Sequence, residues 1–301
     1  MDHRPNQGYQ EKKNVLLASG KYPDFFYRAG LSVADLINYG GRGAFIELNA
    51  LIEENAPNFM ERAAEYPSVI KEITMPNGKI YSMPIVEPSP TRGERSWMNK
   101  RWLENVGMEA PTTVEELEAV LLAFKTQDAN GNGDLNDEIP YSDRASGSSI
   151  FQGTYSAFGI GNLGYGGFAN YVDLGADGKV RFFATSEDFL RQLTWIRGLY
   201  DQGLLDMEMF TQDIPTFTAK GEQDQIGAFF HNGNPEIIGA KNMYDFVNIG
   251  PMANVDTGER VYNNIRSMCG VGAFAISNTN PYPEATVRWV DYWYSHEGDR
   301  L

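Results

Sequence analysis

Asp128-Ala-Asn130-Gly-Asn132-Gly-Asp134-Leu-Asn136-Asp137-Glu138-Ile-Pro140 places an oxygen-bearing side chain at every second position through Asn136. Gly131 and Gly133 stand between them, and two adjacent carboxylates close the run. A hard cation such as Ca²⁺ takes roughly six to eight oxygen ligands, and a loop wrapped round one ion turns alternate residues inward. In the EF-hand loop the ligands stand at positions one, three, five and seven, with Gly at six. Here those positions are Asp128, Asn130, Asn132 and Asp134, with Gly133 at six. Position twelve is Ile139, and the carboxylates Asp137 and Glu138 fall one or two residues early. That argues against a paired EF-hand and leaves a single Ca²⁺ loop. The competing reading is a solvated Asn-Gly turn. Oxygen residues in phase with two glycines favour the metal.

Outward from the loop, Thr113 with Glu116 three residues on predicts a capping box. The helix it opens buries Leu117, Val120, Leu121 and Phe124 and delivers the chain to the loop. Upstream, Arg95 to Asn99 reads as a strand running into a helix, Lys100 to Val106, ended by Gly107. Met75 to Pro84 has Asn77-Gly78 between two β-prone arms, a hairpin signal. Gln10 to Ser19 is a helix stopped by Gly20, and Pro23 to Tyr27 a short buried strand. Pro57 interrupts a helical pattern from Ala50 to Tyr66. Downstream, Ser146 to Tyr171 is Gly- and aromatic-rich and reads as an irregular, partly buried segment. Asp177 to Phe183 is a hairpin arm, and Ser186 to Gln202 an amphipathic helix. Strands follow at Gln225–Phe230, Phe246–Met252 and Val271–Ser277, then a helix from Pro283 to Ser295.

The 301 residues suffice for two domains with real cores. Aromatics at 13% exclude a disordered chain. The formal charge of −15 repels phosphate backbones and anionic lipid surfaces, so neither nucleic acid nor a basic membrane-binding mode is expected. A lone cysteine, Cys269, excludes an intramolecular disulfide and reads as a small core residue. No apolar run is long enough to span a bilayer, and the first residues hold no signal core.

There is no GxxxxGK[ST], no GxGxxG between strand and helix, no GxSxG and no HExxH. No reaction class is positively indicated. Aromatic and amide side chains near strand ends suit the apolar faces and hydroxyls of a neutral sugar. Trp97, His231 and Asn232 are the sharpest of these, whereas Trp102, Trp195, Trp289 and Trp293 sit at helical positions and read as core.

Several stretches resemble the extracellular solute-binding proteins of family 1, above all the long lipoproteins that serve oligosaccharide ABC importers of Gram-positive bacteria and their Ca²⁺-binding alginate-oligosaccharide relatives. The matching runs are Ala18 to Asp24 (ASGKYPD), Leu48 to Asn58 (LNALIEENAPN), Pro76 to Pro84 (PNGKIYSMP), Asn99 to Leu117, Asp128 to Pro140 and Leu199 to Phe210 (LYDQGLLDMEMF). They occur in the family's order, and the final strand and helix extend the likeness to Gly298. Family members carry a lipoprotein signal, a first strand and a helix upstream, and further segments downstream, so the chain is expected to be truncated at both ends.

The resemblance implies an α/β, two-lobed periplasmic-binding-protein-like fold of type II, here incomplete. Residues 1–98 plus 270–301 form the first lobe, 99–269 the second, and ligand is held in the cleft between them. It implies a structural Ca²⁺ on Asp128, Asn130, Asn132, Asp134 (through its carbonyl), Asp137 and Glu138, with Asn136 left open. Trp97, His231, Asn232 and Arg266 lie near strand ends or crossings, where they could face ligand. The expected function is a non-catalytic, monomeric receptor that captures an oligosaccharide for ABC permease subunits. It is expected at the cell surface, tethered by an N-terminal lipid anchor this chain lacks. The rival readings are a calcium-stabilised polysaccharide-degrading enzyme and a calcium-dependent adhesion module.

Overall fold

The computed structural model describes residues 8–86, 94–144, 150–161, 171–175, 177–232, 235–261 and 269–298. The chain divides into two compact units, residues 1–89 with 267–301 and residues 90–266. These bounds shift the expected crossings. Residues 94–98, assigned from sequence to the first lobe, pair with one neighbouring strand of the second unit's sheet, and residues 96–98 pair with a second strand as well. Cys269, assigned to the second, opens a strand of the first unit. Pairing partners, not the helix that follows a strand, decide which body owns it.

In the first unit, α1 (Tyr9–Ser19) stops at Gly20, whose φ of 71° is left-handed and free of penalty without a Cβ. Strand β1 (Phe25–Tyr27) follows. Lys13 on α1 reaches the Gly30 carbonyl and the Asp35 carboxylate, 2.7 Å away. Asp35 also closes a capping box with Ser32 that the sequence reading missed. Helices α2 (Asn49–Asn55), α3 (Pro57–Glu65) and α4 (Ser68–Ile73) come next, with Pro57 at the first position of α3. At Asn77-Gly78 the turn forms, with the Met75 N–H donating to the Lys79 carbonyl at 2.9 Å. The expected hairpin goes no further than the bridge Thr74–Ile80. The second arm runs on as β2 (Met83–Val86) and pairs elsewhere.

The second unit begins its described part with β3 (Glu94–Asn99), which passes into α5 (Lys100–Val106). The Asn99 side chain caps α5 by accepting the Trp102 N–H, and Gly107 (φ 68°) ends it. Helix α6 (Val114–Thr126) starts with the Thr113 hydroxyl accepting the Glu116 N–H at 3.1 Å. The return half of the box is shifted by one: Glu116 accepts from the Thr112 N–H and hydroxyl, not from Thr113. Strand β4 (Ile139–Tyr141) leaves the glycine-rich loop, and α7 (Ile150–Thr154) and the buried turn Tyr155–Phe158 follow. Part of the expected irregular segment, residues 146–149 and 162–170, lies outside the described residues.

Strands β5 (Val172–Leu174) and β6 (Val180–Phe182) make a small hairpin. Ser186 caps α8 (Glu187–Asp201), and Asp213 caps α9 (Ile214–Glu222). Strands β7 (Ile226–Asn232) and β8 (Phe246–Ile249) complete a sheet ordered β4-β7-β3-β8, in which only β4 and β7 are parallel. Trp102, Phe124, Leu121, Leu199 and Phe183 are fully buried in the core over this sheet.

The chain then re-enters the first unit as β9 (Cys269–Ile276), antiparallel to both β1 and β2 and lying between them, followed by α10 (Pro283–Asp291). Side chains alternate along β9. Phe274 and Ile276 join Ile52, Phe59, Val69, Val287 and Val290 on one face, and Ala275 joins Leu17, Phe26, Phe45 and Tyr81 on the other. Gly272 (φ 79°) has no alternative, since a Cβ there would stand 2.2 Å from the Leu31 carbonyl oxygen. Burial raises the Cys269 thiol to about 12, and the residue packs as an inert core side chain. Trp289 and Trp293, expected in the core, are about half exposed: α10 turns Val287, Val290 and Asp291 inward, and Trp293 lies in the turn Tyr292–Tyr294 that follows it.

Candidate functional site

The loop between α6 and β4 is bonded to itself as its alternating oxygens require. The Asp128 carboxylate accepts the Gly133 N–H at 2.9 Å, Asn130 accepts the Asn132 N–H, Asn132 the Asp134 N–H, and Asp134 the Asn136 N–H. Gly131 and Gly133 take φ of 77° and 91°, the sharp turning the sequence predicts. Asp137 accepts from the amides of both Asn130 and Asn132, and one Glu138 oxygen accepts the Ala129 N–H. Among the described residues no three His, Cys, Asp or Glu side chains gather closely enough to hold a metal ion. Two carboxylate oxygens of the loop, Asp128 Oδ1 and Glu138 Oε2, are nevertheless buried with no hydrogen-bond partner. Burial, and secondarily the charge of Asp137, holds the Glu138 carboxyl above its ordinary range despite backbone N–H groups that favour its charged form. Buried, unpartnered anionic oxygens are costly, and a cation is the partner that removes the cost. The donor set, all hard oxygen, fits Ca²⁺.

The loop stands at the starting ends of β4 and β7. Glu138 directly precedes β4, the Ile139 N–H donates to the Gln225 carbonyl at 2.7 Å, and Asn130 donates to the Asp224 carbonyl. The finishing ends of the same two strands carry Asp143 and Arg144 after β4 and His231 and Asn232 on β7. In open α/β sheets the finishing ends of parallel strands are where ligands bind.

Of the residues expected to touch ligand, Trp97 lies on an inner strand of the sheet. It is 9% exposed, packed with Phe217, Phe229 and Phe246, and its Nε1 donates to the His231 carbonyl at 3.2 Å. His231 is partly buried and pairs across the sheet with Arg95. Asn232 ends β7, and Arg266 lies outside the described residues.

Sequence reasoning missed Asp143 and Arg144. Asp143 is 2% exposed, and burial drives its carboxyl well above the ordinary range, although the Arg144 N–H and the Tyr141 hydroxyl donate to it. Arg144 Nε is buried with no hydrogen-bond partner, a charged donor awaiting an acceptor. The only available signal was their position two and three residues beyond a short strand.

A second buried network lies beside them. Asp206 accepts from the Ser142 hydroxyl and pairs with Lys220 at 2.7 Å, and Gln212 donates to the Ser142 hydroxyl and the Asp143 carbonyl. It locks the Tyr141–Arg144 segment to the start of α9.

The family description "Bacterial extracellular solute-binding protein" matches residues 2–300, and the chain belongs to that family. It is 32% identical over 299 residues to the fructooligosaccharide ABC transporter substrate-binding protein FusA of Streptococcus pneumoniae, covering 95% of this chain and 53% of FusA. The chain spans about half the length of the curated relatives it matches. The structure of FusA in complex with kestose superposes with a TM-score of 0.82 at 31% identity, covering 98% of this chain and 60% of FusA. An EF-hand mutant of FusA in complex with fructo-nystose gives 0.78 at 30% identity, with the same shares covered. The fold is therefore the two-lobed fold of periplasmic binding proteins. Among the described residues no helix is long and apolar enough to cross a membrane.

Proposed function

We propose that this chain is the ligand-binding part of a cell-surface receptor for an ABC importer, one that captures an oligosaccharide and presents it to permease subunits without altering it. The observation that carries this reading is the family match along residues 2–300, joined to 32% identity with a fructooligosaccharide-binding relative. The receptor acts as a monomer outside the cell, held by a lipid anchor on its full-length form. Its two units serve as the two lobes, and Ca²⁺ bound by Asp128, Asn130, Asn132, Asp134, Asp137 and Glu138 holds the second one together. The unpartnered oxygens of Asp128 and Glu138 support that ion, and the relative with an EF-hand supports the loop type.

At the finishing ends of β4 and β7, Arg144, His231 and Asn232 supply donors for sugar hydroxyls. Arg144 gains the acceptor its buried Nε lacks. A neutral fructan is the first ligand class to try, and acidic glycans the second.

The test is calorimetric titration of the calcium-loaded protein with kestose, nystose, and galacturonate and alginate oligomers, followed by chromatography of the recovered sugar. One class is expected to bind and to be recovered intact, and a hundredfold excess over its Kd should stabilise the fold by about 2.7 kcal/mol. Recovery of cleaved sugar would make the protein an enzyme. Silence across the panel would remove the sugar-receptor reading.

A further inference from the structure

We propose that Arg101 is a positioning residue for the calcium loop, clamping it to the sheet so that its oxygens are arranged before the ion arrives; this rests on the calcium reading above. Helix α5 presents Arg101 and Asn105, one turn apart on the same face, to two successive loop carbonyls. Arg101 Nη1 donates to the Asn130 carbonyl at 2.8 Å, and Asn105 Nδ2 donates to the Ala129 carbonyl at 2.9 Å. The rest of the guanidinium is held by carboxylates from elsewhere in the unit. Nη2 pairs with Asp224, just before β7, and Nε with Asp245, just before β8, at 3.3 Å.

Asp224 is itself fixed. Trp102 Nε1 donates to its other oxygen at 3.4 Å, and its carbonyl accepts from the Asn130 side chain. One planar fork thus spans the loop and the leading ends of two strands, a geometry a lysine ammonium cannot reproduce. None of these contacts uses an oxygen expected to touch the ion. They fix the backbone at the second and third loop positions, Ala129 and Asn130, and the Asn130 side chain projects from the third. Partners that orient metal ligands are worth roughly 10–100-fold in affinity.

Removing the charge of Arg101 would by itself favour a cation, so the two effects must be separated. Arg101→Lys keeps the charge and loses the fork. Asn105→Ala, on an exposed side chain, removes one clamp bond and leaves the fold intact. Calcium is titrated into the full chain at about 0.5 M salt, where charge effects reach only roughly 4 Å. The melting temperature is read in calcium and in EDTA.

Arg101→Lys is expected to raise the calcium Kd about tenfold and Asn105→Ala about threefold. The gap between the two melting temperatures should narrow in the same order. A Kd within twofold of wild type in both variants overturns the positioning role while leaving the calcium reading intact. So does a melting temperature lowered equally in calcium and EDTA, which is the signature of a merely structural contact. Wild-type protein that takes up no calcium overturns the calcium reading and this inference with it.

Discussion

Asp291→Ala lowers the stability of the first unit by about 3 kcal/mol and its melting temperature by roughly 10 °C. The Asp291 carboxylate is 3% exposed and sits at the N-terminus of α3, although it comes from α10, 233 residues later. It accepts the Phe59 N–H at 2.8 Å, the Asn58 N–H at 3.2 Å and the Asn58 side-chain amide at 2.8 Å. The first helical residue, Pro57, has no N–H to satisfy, and Ala56 before it has no side-chain cap. The carboxylate therefore takes the next two free donors at the positive end of the helix dipole. Removing it strands the buried Phe59 N–H, the expensive way to lose a hydrogen bond, and leaves the part-buried Asn58 donors to water. Nearby, Arg288 Nε donates to the buried Asn55 side chain at the end of α2, so α10 ties both helices to the sheet.

Asp291→Asn keeps the shape and one acceptor oxygen and should lose about half as much. Glu47→Ala, which breaks an exposed pair with Lys79, is the control and should leave the urea midpoint where it was. An Asp291→Ala protein that melts with wild type would mean that water reaches the start of α3.

What could be read in advance was local. Gly20 and Gly107 as helix stops, Thr113 and Ser186 as caps and the alternating oxygens of 128–138 are each specified within a few residues, and each appears where expected. What could not be read was whatever depends on a distant partner. The Asp291 cap spans nearly the whole chain, and nothing around Pro57 announces it. Trp97 looked free for a ligand because its strand ends near a crossing, yet β3 is the third strand of four, with Phe229 and Asn248 opposite on either side. Trp289 and Trp293 looked buried because their helix is amphipathic, yet a face is only as buried as the layer laid over it. The expected break at residue 98 and the division after residue 89 differ for a related reason, since a strand flowing into a helix says nothing about which sheet it joins. Arg144 was invisible because a charged residue after a strand is ordinarily a solvated one. Only the burial of its Nε sets it apart.

Chelation should act on one unit alone. With calcium at a hundredfold over its Kd, EDTA removes about 2.7 kcal/mol of linkage stabilisation, lowering the melting temperature of the unit spanning residues 90–266 by roughly 5–10 °C. The transition of the other unit stays in place, because nothing in residues 8–86 or 269–298 belongs to the loop. The effect is expected because the loop ends where β4 begins, and among the described residues β4 joins the sheet at its edge, through its parallel pairing with β7. A loop free to open frays the start of β4 and loosens the Ile139–Gln225 bond, the first of that ladder. Asp128→Ala and Glu138→Gln each remove one of the buried unpartnered oxygens, so both should abolish the difference between calcium and EDTA. Without calcium, Glu138→Gln should be neutral or slightly stabilising, because it removes a buried charge that burial already disfavours. That crossed pattern, less stable than wild type with the ion and no worse without it, belongs to a ligand. A solvated Asn-Gly turn would show no response to EDTA and no cost at either position.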